Sequence, residues 1–270
     1  MPRSTIARID LDALRRNFQT AQRRAGGARV MAVVKADGYG HGIGPVASAL
    51  DSMAPKYAVA CLKEARAIRE TGLIQPVVLL QGVHAEADID ECARSGFEPV
   101  FHSFQQLAWL ERLDTWPAFW LKVNSGMNRL GFHPDELAGV MSRLQAMSAD
   151  TELLGFVTHF ACADDPYSAM TAQQTTVFEK ATSSFPDLMK SVANSAAHFR
   201  PGQPMFDWSR PGIMLYGGSP MVGTTGPELG LEPVMSLEAP LISTRLVPAG
   251  ESVGYGASWV ADRDTRMGMV

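Results

Sequence analysis

The chain has 270 residues, of which 46% are hydrophobic and 19% are charged, so it is long enough to bury a sizeable core. Its formal net charge of −4 argues against nucleic acid as a partner, because phosphate binding favours a basic surface. Three cysteines without CxxC spacing predict free thiols in a reducing, cytoplasmic setting, and neither a signal peptide nor a membrane span is recognisable.

Short apolar or β-branched runs alternate with helix-like segments from the N-terminus to Tyr216. The predicted strands occupy residues 29–35, 57–60, 77–80, 98–101, 118–123, 153–159, 189–193 and 213–216. Between them, apolar positions recur at helical spacing in residues 62–71, 85–95, 103–113 and 134–147. This alternation implies a parallel α/β sheet with right-handed crossovers, and eight strands favour a (β/α)8 TIM barrel over a doubly wound open sheet.

The pattern changes after Gly217. Glycines and prolines over residues 217–232 indicate a long loop or linker, and alternation over 234–247 and 251–260 is typical of antiparallel strands. We therefore expect a barrel domain over residues 1–228, followed by an incomplete C-terminal β-domain over 229–270. The last residues are apolar and uncapped, which suggests a chain that stops within a strand.

The segment 32–42, AVVKADGYGHG, carries the strongest chemical signal. A lysine at the end of a barrel strand, here Lys35, lies at the carboxyl rim where such enzymes place their sites. Desolvation favours the neutral amine that forms an imine, and the glycines that follow allow close approach of a ligand. Taken alone, such a lysine is more often a snorkelling surface residue.

This segment resembles the cofactor-lysine motif of the alanine racemases, and the likeness recurs through further motifs to Trp259. The resemblance implies that pyridoxal 5′-phosphate (PLP) is held by Lys35 as a Schiff base, with Tyr39 bonded to its phosphate. It further implies interconversion of L-alanine and D-alanine by two-base proton transfer, for peptidoglycan synthesis or alanine catabolism. A cytoplasmic homodimer that shares active sites across its interface is expected, with no metal, membrane or nucleic acid involved.

The segment 121–131, LKVNSGMNRLG, contains two further candidates. Arg129 falls on a rim loop, where its rigid donor fork suits an anion or a phenolate oxygen. By resemblance it contacts the cofactor ring oxygen and the carboxylate side of the substrate. Lys122 corresponds to a lysine that is carbamylated in some relatives, and an unmodified rim lysine is the open alternative.

Two shorter rim segments follow. His159, which closes a predicted strand, would ordinarily be a core histidine, but it matches the family histidine beside the cofactor. Asn194 and Ser195 match a segment whose serine reaches the phosphate. A small hydroxyl before a helix start suits phosphate, because the backbone N–H groups there point outward.

The segment 208–217, WSRPGIMLYG, predicts a turn before the last barrel strand, with the N–H groups of Gly212 and Ile213 free for phosphate. By resemblance Arg210 faces the pyridine nitrogen of the cofactor. An arginine cannot accept the ring proton, so the ring is a weaker electron sink than one paired with aspartate. This limits side reactions and suits racemisation.

The last motif is SVGYGASW, residues 252–259. A tyrosine between glycines is commonly a turn residue. Here Tyr255 is similar to the family's catalytic tyrosine, which enters the active site from the partner subunit. Racemisation needs a base on each face of Cα, and the resemblance assigns Lys35 to the D-face and Tyr255 to the L-face.

Two alternatives remain at this point. A non-enzymatic PLP carrier shares the barrel and the lysine but lacks an added β-domain, so the segment around Tyr255 argues against it. A broad-specificity amino-acid racemase would keep the PLP site with a different pocket wall. Arg210 disfavours a decarboxylase, which needs a strong electron sink.

Overall fold

The computed structural model describes residues 5–113, 115–147 and 152–270, which form two compact units. The larger unit is Asp10–Val234, and the smaller one combines the N-terminal strand with Met235–Val270. The strands are β1 (Ile6–Ile9), β2 (Arg29–Val30), β3 (Ala32–Val33), β4 (Tyr57–Val59), β5 (Val77–Leu79), β6 (Phe97–Phe101), β7 (Phe119–Lys122), β8 (Leu153–Val157), β9 (Met189–Ser191), β10 (Trp208–Ser209), β11 (Met235–Glu238), β12 (Ser243–Val247), β13 (Ser252–Val253), β14 (Trp259–Val260) and β15 (Thr265–Met269). The α-helices are α1 (Leu11–Arg24), α2 (Lys35–Gly40), α3 (Ile43–Ala49), α4 (Leu62–Glu70), α5 (Ala87–Ser95), α6 (Phe104–Leu110), α7 (Leu137–Met147) and α8 (Met170–Thr182). Over these described ranges, no helix combines the length and the apolarity that a bilayer crossing requires.

The larger unit is a closed parallel barrel. Its strands pair in the order β2-β10-β9-β8-β7-β6-β5-β4-β3. Because β2 and β3 are separated only by Met31, they act as one strand and the sheet closes with eight strands. The Met31 N–H donates to the Ser209 carbonyl (2.9 Å), which continues the ladder across the break. The predicted (β/α)8 TIM barrel is confirmed.

The barrel interior is filled with side chains. Strand side chains alternate in direction, so every second residue points inward. The inward residues form a buried cluster of Met31, Val33, Ala58, Val78, Val100, Trp120, Val157 and Trp208. Because this interior is packed, the rims are left as the places where a ligand can bind.

The eighth strand was predicted at residues 213–216, and this is wrong. The eighth strand is β10, whereas Ile213–Tyr216 form a 3-10 helix that ends at Gly217 with φ of 85°. Three of its four residues are buried. A short apolar run has the same composition in a buried strand and in a buried helical turn, so the pattern could not separate them.

The glycine-rich segment after the barrel is held against it. The buried Asn17 of α1 donates to the carbonyls of Leu215 (3.1 Å) and Glu232 (2.7 Å), and its side-chain oxygen accepts from the Glu232 N–H (2.9 Å). One asparagine therefore satisfies backbone groups at both ends of the loop, and this segment is part of the larger unit.

The smaller unit is made of antiparallel pairs, as the alternation after residue 234 predicted. β1 pairs with β11, β12 with β15, and β13 with β14. Arg8 on β1 forms a two-pronged ion pair with Glu238 on β11. The first strand of the chain thus belongs to the same unit as its last 36 residues, Met235–Val270.

Candidate active site

Lys35 begins α2, which is a left-handed turn and not a regular right-handed helix, at the carboxyl rim of the barrel. The predicted strand 29–35 ends earlier, with β3, and the four residues Ala36–Tyr39 have φ between 53° and 61°. Non-glycine residues rarely adopt this region, so surrounding contacts must hold them there. One such contact is made by Asp37, whose carboxylate accepts from the Ile43 N–H (2.8 Å).

Lys35 lies between two cavities that share four lining residues. A cavity of about 270 Å³ is lined by Val33, Lys35, Tyr39, Leu80, His159, Asp164, Asn194, Ser195, Ala196, Arg210, Gly212, Ile213 and Pro220. A second cavity of about 200 Å³ is lined by Lys35, Ala60, Leu80, Gln81, Lys122, Arg129, Leu130, Val157, Thr158, His159 and Arg210. Ten of the eleven residues singled out from the sequence therefore come together at this rim.

Arg210 is buried where the two cavities meet, with 5% of its surface exposed. Its guanidinium donates to the hydroxyl of Ser191 and to the carbonyl of Thr158. Within the described ranges no carboxylate lies within ion-pair distance of it. Burial lowers the pKa of Arg210 to about 10, so the group is still a protonated donor at neutral pH.

Two other groups of the site lose protons readily. Burial, reinforced by the neighbouring cations of which Arg210 is the strongest, lowers the pKa of His159 to about 3. The imidazole is therefore neutral at pH 7. Burial and the charges of Arg210, Arg129 and Lys35 also lower the pKa of Lys122 to about 8, so part of this amine is neutral under physiological conditions.

In the wall of the larger cavity, the phenol of Tyr39 lies against Gly212. Tyr39 stacks on Tyr216 with ring centroids 4.8 Å apart. Its hydroxyl lies so close to Gly212 that a Cβ at that position would collide with it. The absence of a side chain at Gly212 thus allows a hydroxyl and a run of backbone amides to share one wall, an arrangement that suits a phosphate.

Ser195 lies on the same wall, and its hydroxyl accepts from the N–H groups of Gly212 (2.8 Å) and Met214 (3.4 Å). The expectation that the Gly212 N–H is free is therefore wrong for this structure, because the serine oxygen is its acceptor. The Ile213 N–H has no acceptor among the described residues. The side-chain oxygen of Asn194 accepts from the Ala197 N–H (3.2 Å), near the start of a 3-10 helix at Ala196–Phe199.

Arg129 is placed by a tight loop after β7. The loop returns to the strand through the Phe132 N–H, which donates to the Lys122 carbonyl (2.8 Å). Inside it, the Asn124 side chain accepts from the Asn128 N–H (3.0 Å), which fixes Asn128 at a positive φ of 56°. The exposed arginine side chain thereby borders the smaller cavity.

Tyr255 belongs to the smaller unit, where it begins a short 3-10 helix between Gly254 and Ser258. Its side chain is fully exposed. The lysine predicted for one face of the substrate and the tyrosine predicted for the other therefore lie in different units of the chain.

Sequence reasoning missed several residues of this site. Thr158 and Ser191 hold Arg210, and Asp164 lines the larger cavity on the loop after β8. The available signal was a polar residue in the C-terminal half of a predicted strand, as for Thr158 and Ser191, or in the loop that follows it, as for Asp164, because a parallel barrel places its rim there.

The family model described as the alanine racemase N-terminal domain matches residues 9–220, and the C-terminal domain model matches residues 234–270. This chain belongs to the alanine racemase family. Because a PLP carrier would lack the second domain, the match over residues 234–270 does not favour that alternative.

Individual alanine racemases show the same relationship. The chain is 63% identical to a curated alanine racemase of Marinobacter nauticus, covering 100% of this chain and 75% of that protein. A crystal structure of the biosynthetic alanine racemase from Pseudomonas aeruginosa superposes with a TM-score of 0.91 at 40% identity, covering 99% of this chain and 75% of that one. The alanine racemase from Bartonella henselae, solved with covalently bound pyridoxal phosphate, matches at 27% identity with a TM-score of 0.83, over 99% and 75% of the two chains.

Proposed function

We propose that this chain is a PLP-dependent isomerase that interconverts L-alanine and D-alanine. The observation that carries the proposal is the position of Lys35, between a cavity walled by hydroxyls and amides and a cavity bordered by Lys122 and Arg129. An anionic cofactor and an amino-acid carboxylate need these two kinds of surroundings on either side of one amine.

The residues present fit PLP. At one end, Tyr39, Ser195 and the Ile213 N–H offer donors for a phosphate, and Gly212 leaves room for it. Where the two cavities meet, Arg210 offers a buried proton donor that lacks a carboxylate partner within the described ranges. These groups and Lys35 line the same cavity.

When bound, PLP would supply an electron sink for the bond between Cα and its hydrogen. Arg210 would hold its proton beside the ring nitrogen, because its pKa of about 10 keeps it charged at neutral pH. His159 would contact the cofactor as a neutral imidazole, since its pKa is about 3. Asn194 would position the loop that carries Ser195.

Proton transfer at Cα requires one base on each face. We assign the D-face to the amine of Lys35 and the L-face to the phenol of Tyr255. Full exposure of Tyr255 in the single chain supports its role as a group donated to a second copy. The proposed assembly is therefore a homodimer, in which the larger unit of one subunit binds the cofactor and the smaller unit of the other contributes the tyrosine.

Arg129 is proposed to bind the carboxylate of alanine. Lys122 is proposed to become carbamylated, because a partly neutral amine can attack carbon dioxide and the anionic product would face Arg210 and Arg129. D-alanine produced here would serve peptidoglycan synthesis or alanine catabolism, and the three free cysteines support a cytoplasmic setting.

The first test is borohydride reduction of the purified chain with PLP, followed by peptide mapping. We expect one pyridoxyl group on Lys35, and racemisation of either alanine enantiomer in the same preparation. Labels scattered over exposed lysines such as Lys63 would contradict the assignment of the cofactor site.

The second test is Tyr255→Phe. We expect loss of turnover in both directions with unchanged PLP binding, because the phenolic proton is removed and the barrel is untouched. The matched control is Tyr167→Phe, which changes another exposed tyrosine. Unchanged turnover in Tyr255→Phe would remove Tyr255 from the mechanism.

A further inference from the structure

The carboxylate of Glu64 accepts hydrogen bonds from two backbone amides at the active-site rim. One oxygen accepts from the N–H of Ala36, the residue directly after Lys35 (2.6 Å). The other accepts from the N–H of Ala60, which lines the smaller cavity (2.7 Å). Neither the fold nor the chemistry described above assigns this residue a role.

The two amides lie where the strand ladder breaks. The Ala32 N–H donates to the Lys56 carbonyl and the Val34 N–H to the Ala58 carbonyl, both at 2.9 Å. The next step of this ladder would direct the Ala36 N–H to Ala60. The left-handed turn removes that donor from the ladder, and Glu64 provides the acceptor in its place.

Glu64 is well placed for this because it stands on a fixed element. It lies in the first turn of α4, which is anchored through the buried Ala65 and Ile68. The N-terminal end of a helix favours a negative charge. A carboxylate also has two acceptor oxygens, whereas glutamine has one and would present a donor to the second amide.

We propose that Glu64 is a positioning residue for Lys35. It holds the left-handed turn that sets the direction of the lysine and its separation from Tyr39. The inference rests on the proposed function, in which Lys35 binds PLP, and adds to it the group that keeps the lysine in place. Without Glu64, the first residue of the turn loses its acceptor and the chain can relax towards an extended continuation of β3.

The test compares Glu64→Ala and Glu64→Gln with the control Glu70→Gln, which changes an exposed glutamate at the end of the same helix. Backbone hydrogen exchange without PLP measures directly how firmly the turn is held. We expect faster exchange in both Glu64 variants for the peptide containing residues 34–40, with unchanged exchange in peptides from α1 and α8. The control should match the wild type throughout.

PLP titration and borohydride mapping then measure the affinity for PLP and the labelled fraction at Lys35. We expect affinity for PLP to fall about tenfold or more in both Glu64 variants, since hydrogen bonds to a charged group are lost. The labelled fraction at Lys35 should fall in parallel. Wild-type affinity with wild-type exchange at residues 34–40 would overturn the inference, and so would an increase in exchange across the whole barrel, which would indicate a general structural role.

Failure of the proposed function gives a different result. In that case the wild-type chain itself would show no pyridoxyl group on Lys35. The inference about Lys35 would fall with it, although the exchange measurement would still report whether Glu64 holds the turn. A labelled wild type with unaffected Glu64 variants overturns the inference alone.

Discussion

At the scale of single residues, the site is governed by a cluster of cations. Lys35, Lys122, Arg129 and Arg210 line adjoining cavities, and the last of them is nearly inaccessible to solvent. Burial, reinforced by the charges of these cations, lowers the pKa of Lys122 and keeps His159 neutral. Such a cluster favours anions, which explains why a phosphate, a carboxylate and a carbamate can all be assigned to one rim.

Carbamylation of Lys122 can be tested directly. In buffer with ¹³C-labelled bicarbonate we expect a protein-bound carbamate signal in the ¹³C NMR spectrum. The signal should grow as the pH rises from about 7 to 9, because the neutral amine gains population through its pKa of about 8. Lys122→Arg should abolish it, and Lys63→Arg, at an exposed position, should not. A signal that survives Lys122→Arg would place the carbamate elsewhere.

His198 makes the folded chain sensitive to acid. His198 is 5% exposed, and burial lowers the pKa of its imidazole from 6.5 to about 4. Between these values the unfolded chain binds a proton that the folded chain does not, so stability is complete above about pH 6.5 and falls as the pH drops towards 4.

We expect this loss to reach about 3 kcal/mol. The thermal unfolding midpoint of His198→Gln should therefore depend less on pH between 6.5 and 4 than that of the wild type, whatever its absolute value. His84→Gln, at an exposed position, is the control. Equal pH dependence in His198→Gln and the wild type would show that another group is responsible.

At the scale of elements, the site depends on how two turns meet. The left-handed turn after β3 carries Tyr39, and the 3-10 helix after β10 begins beyond Gly212. Tyr216 from the second element lies under Tyr39 and donates from its hydroxyl to the Val33 carbonyl (3.2 Å). The cavity wall that we propose binds phosphate is thus a contact between two elements that are far apart in sequence.

Gly212→Ala tests this contact. The added Cβ would displace the Tyr39 hydroxyl, so we expect roughly tenfold weaker binding of PLP, measured by titration. In a Tyr39→Phe background the same change should have a smaller effect, because the displaced hydroxyl is already gone. Gly139→Ala is the control, since a Cβ there meets nothing within 4 Å. Additive effects of the two changes would contradict the contact.

At the scale of the whole molecule, the barrel is stabilised by both apolar packing and a buried ion pair. Lys56 and Glu98 are each 6% exposed and bond at 2.6 Å, and the Trp120 indole N–H donates to the same carboxylate (2.8 Å). Outside the barrel, ion pairs such as Arg66–Glu91 connect successive helices at the surface. Exposed pairs contribute little, whereas removal of one buried partner leaves a desolvated charge.

Glu98→Gln should therefore lower the free energy of unfolding of the barrel by about 3–5 kcal/mol, measured by urea denaturation. Glu91→Gln, at the surface pair, should change it by less than about 1 kcal/mol. The double change Lys56→Met with Glu98→Gln should recover part of the loss, because the unpaired charge is removed. A double variant as unstable as Glu98→Gln would show that Lys56 is not the source of the loss.

Much of the candidate site could be predicted because its residues lie in short motifs at strand ends. The segments around Lys35, Arg129 and Arg210 were each recognisable without the structure. The groups that accept hydrogen bonds from these segments were not recognisable. Thr158, Ser191 and Glu64 are distant from them in the sequence, and only folding brings them into contact. A polar residue in isolation gives no indication of which distant group it will bond.

The sequence alone determined the strand–helix alternation, the family motifs and the change of pattern after Gly217, since periodicity and turn chemistry are local properties. The tertiary structure decided the closure of the barrel through β10, the pairing of β1 with β11, and the left-handed turn at Ala36–Tyr39. Each of these depends on contacts between segments distant in the chain. Their free energy comes from burial and from hydrogen bonds completed across the fold, which no local window of sequence contains.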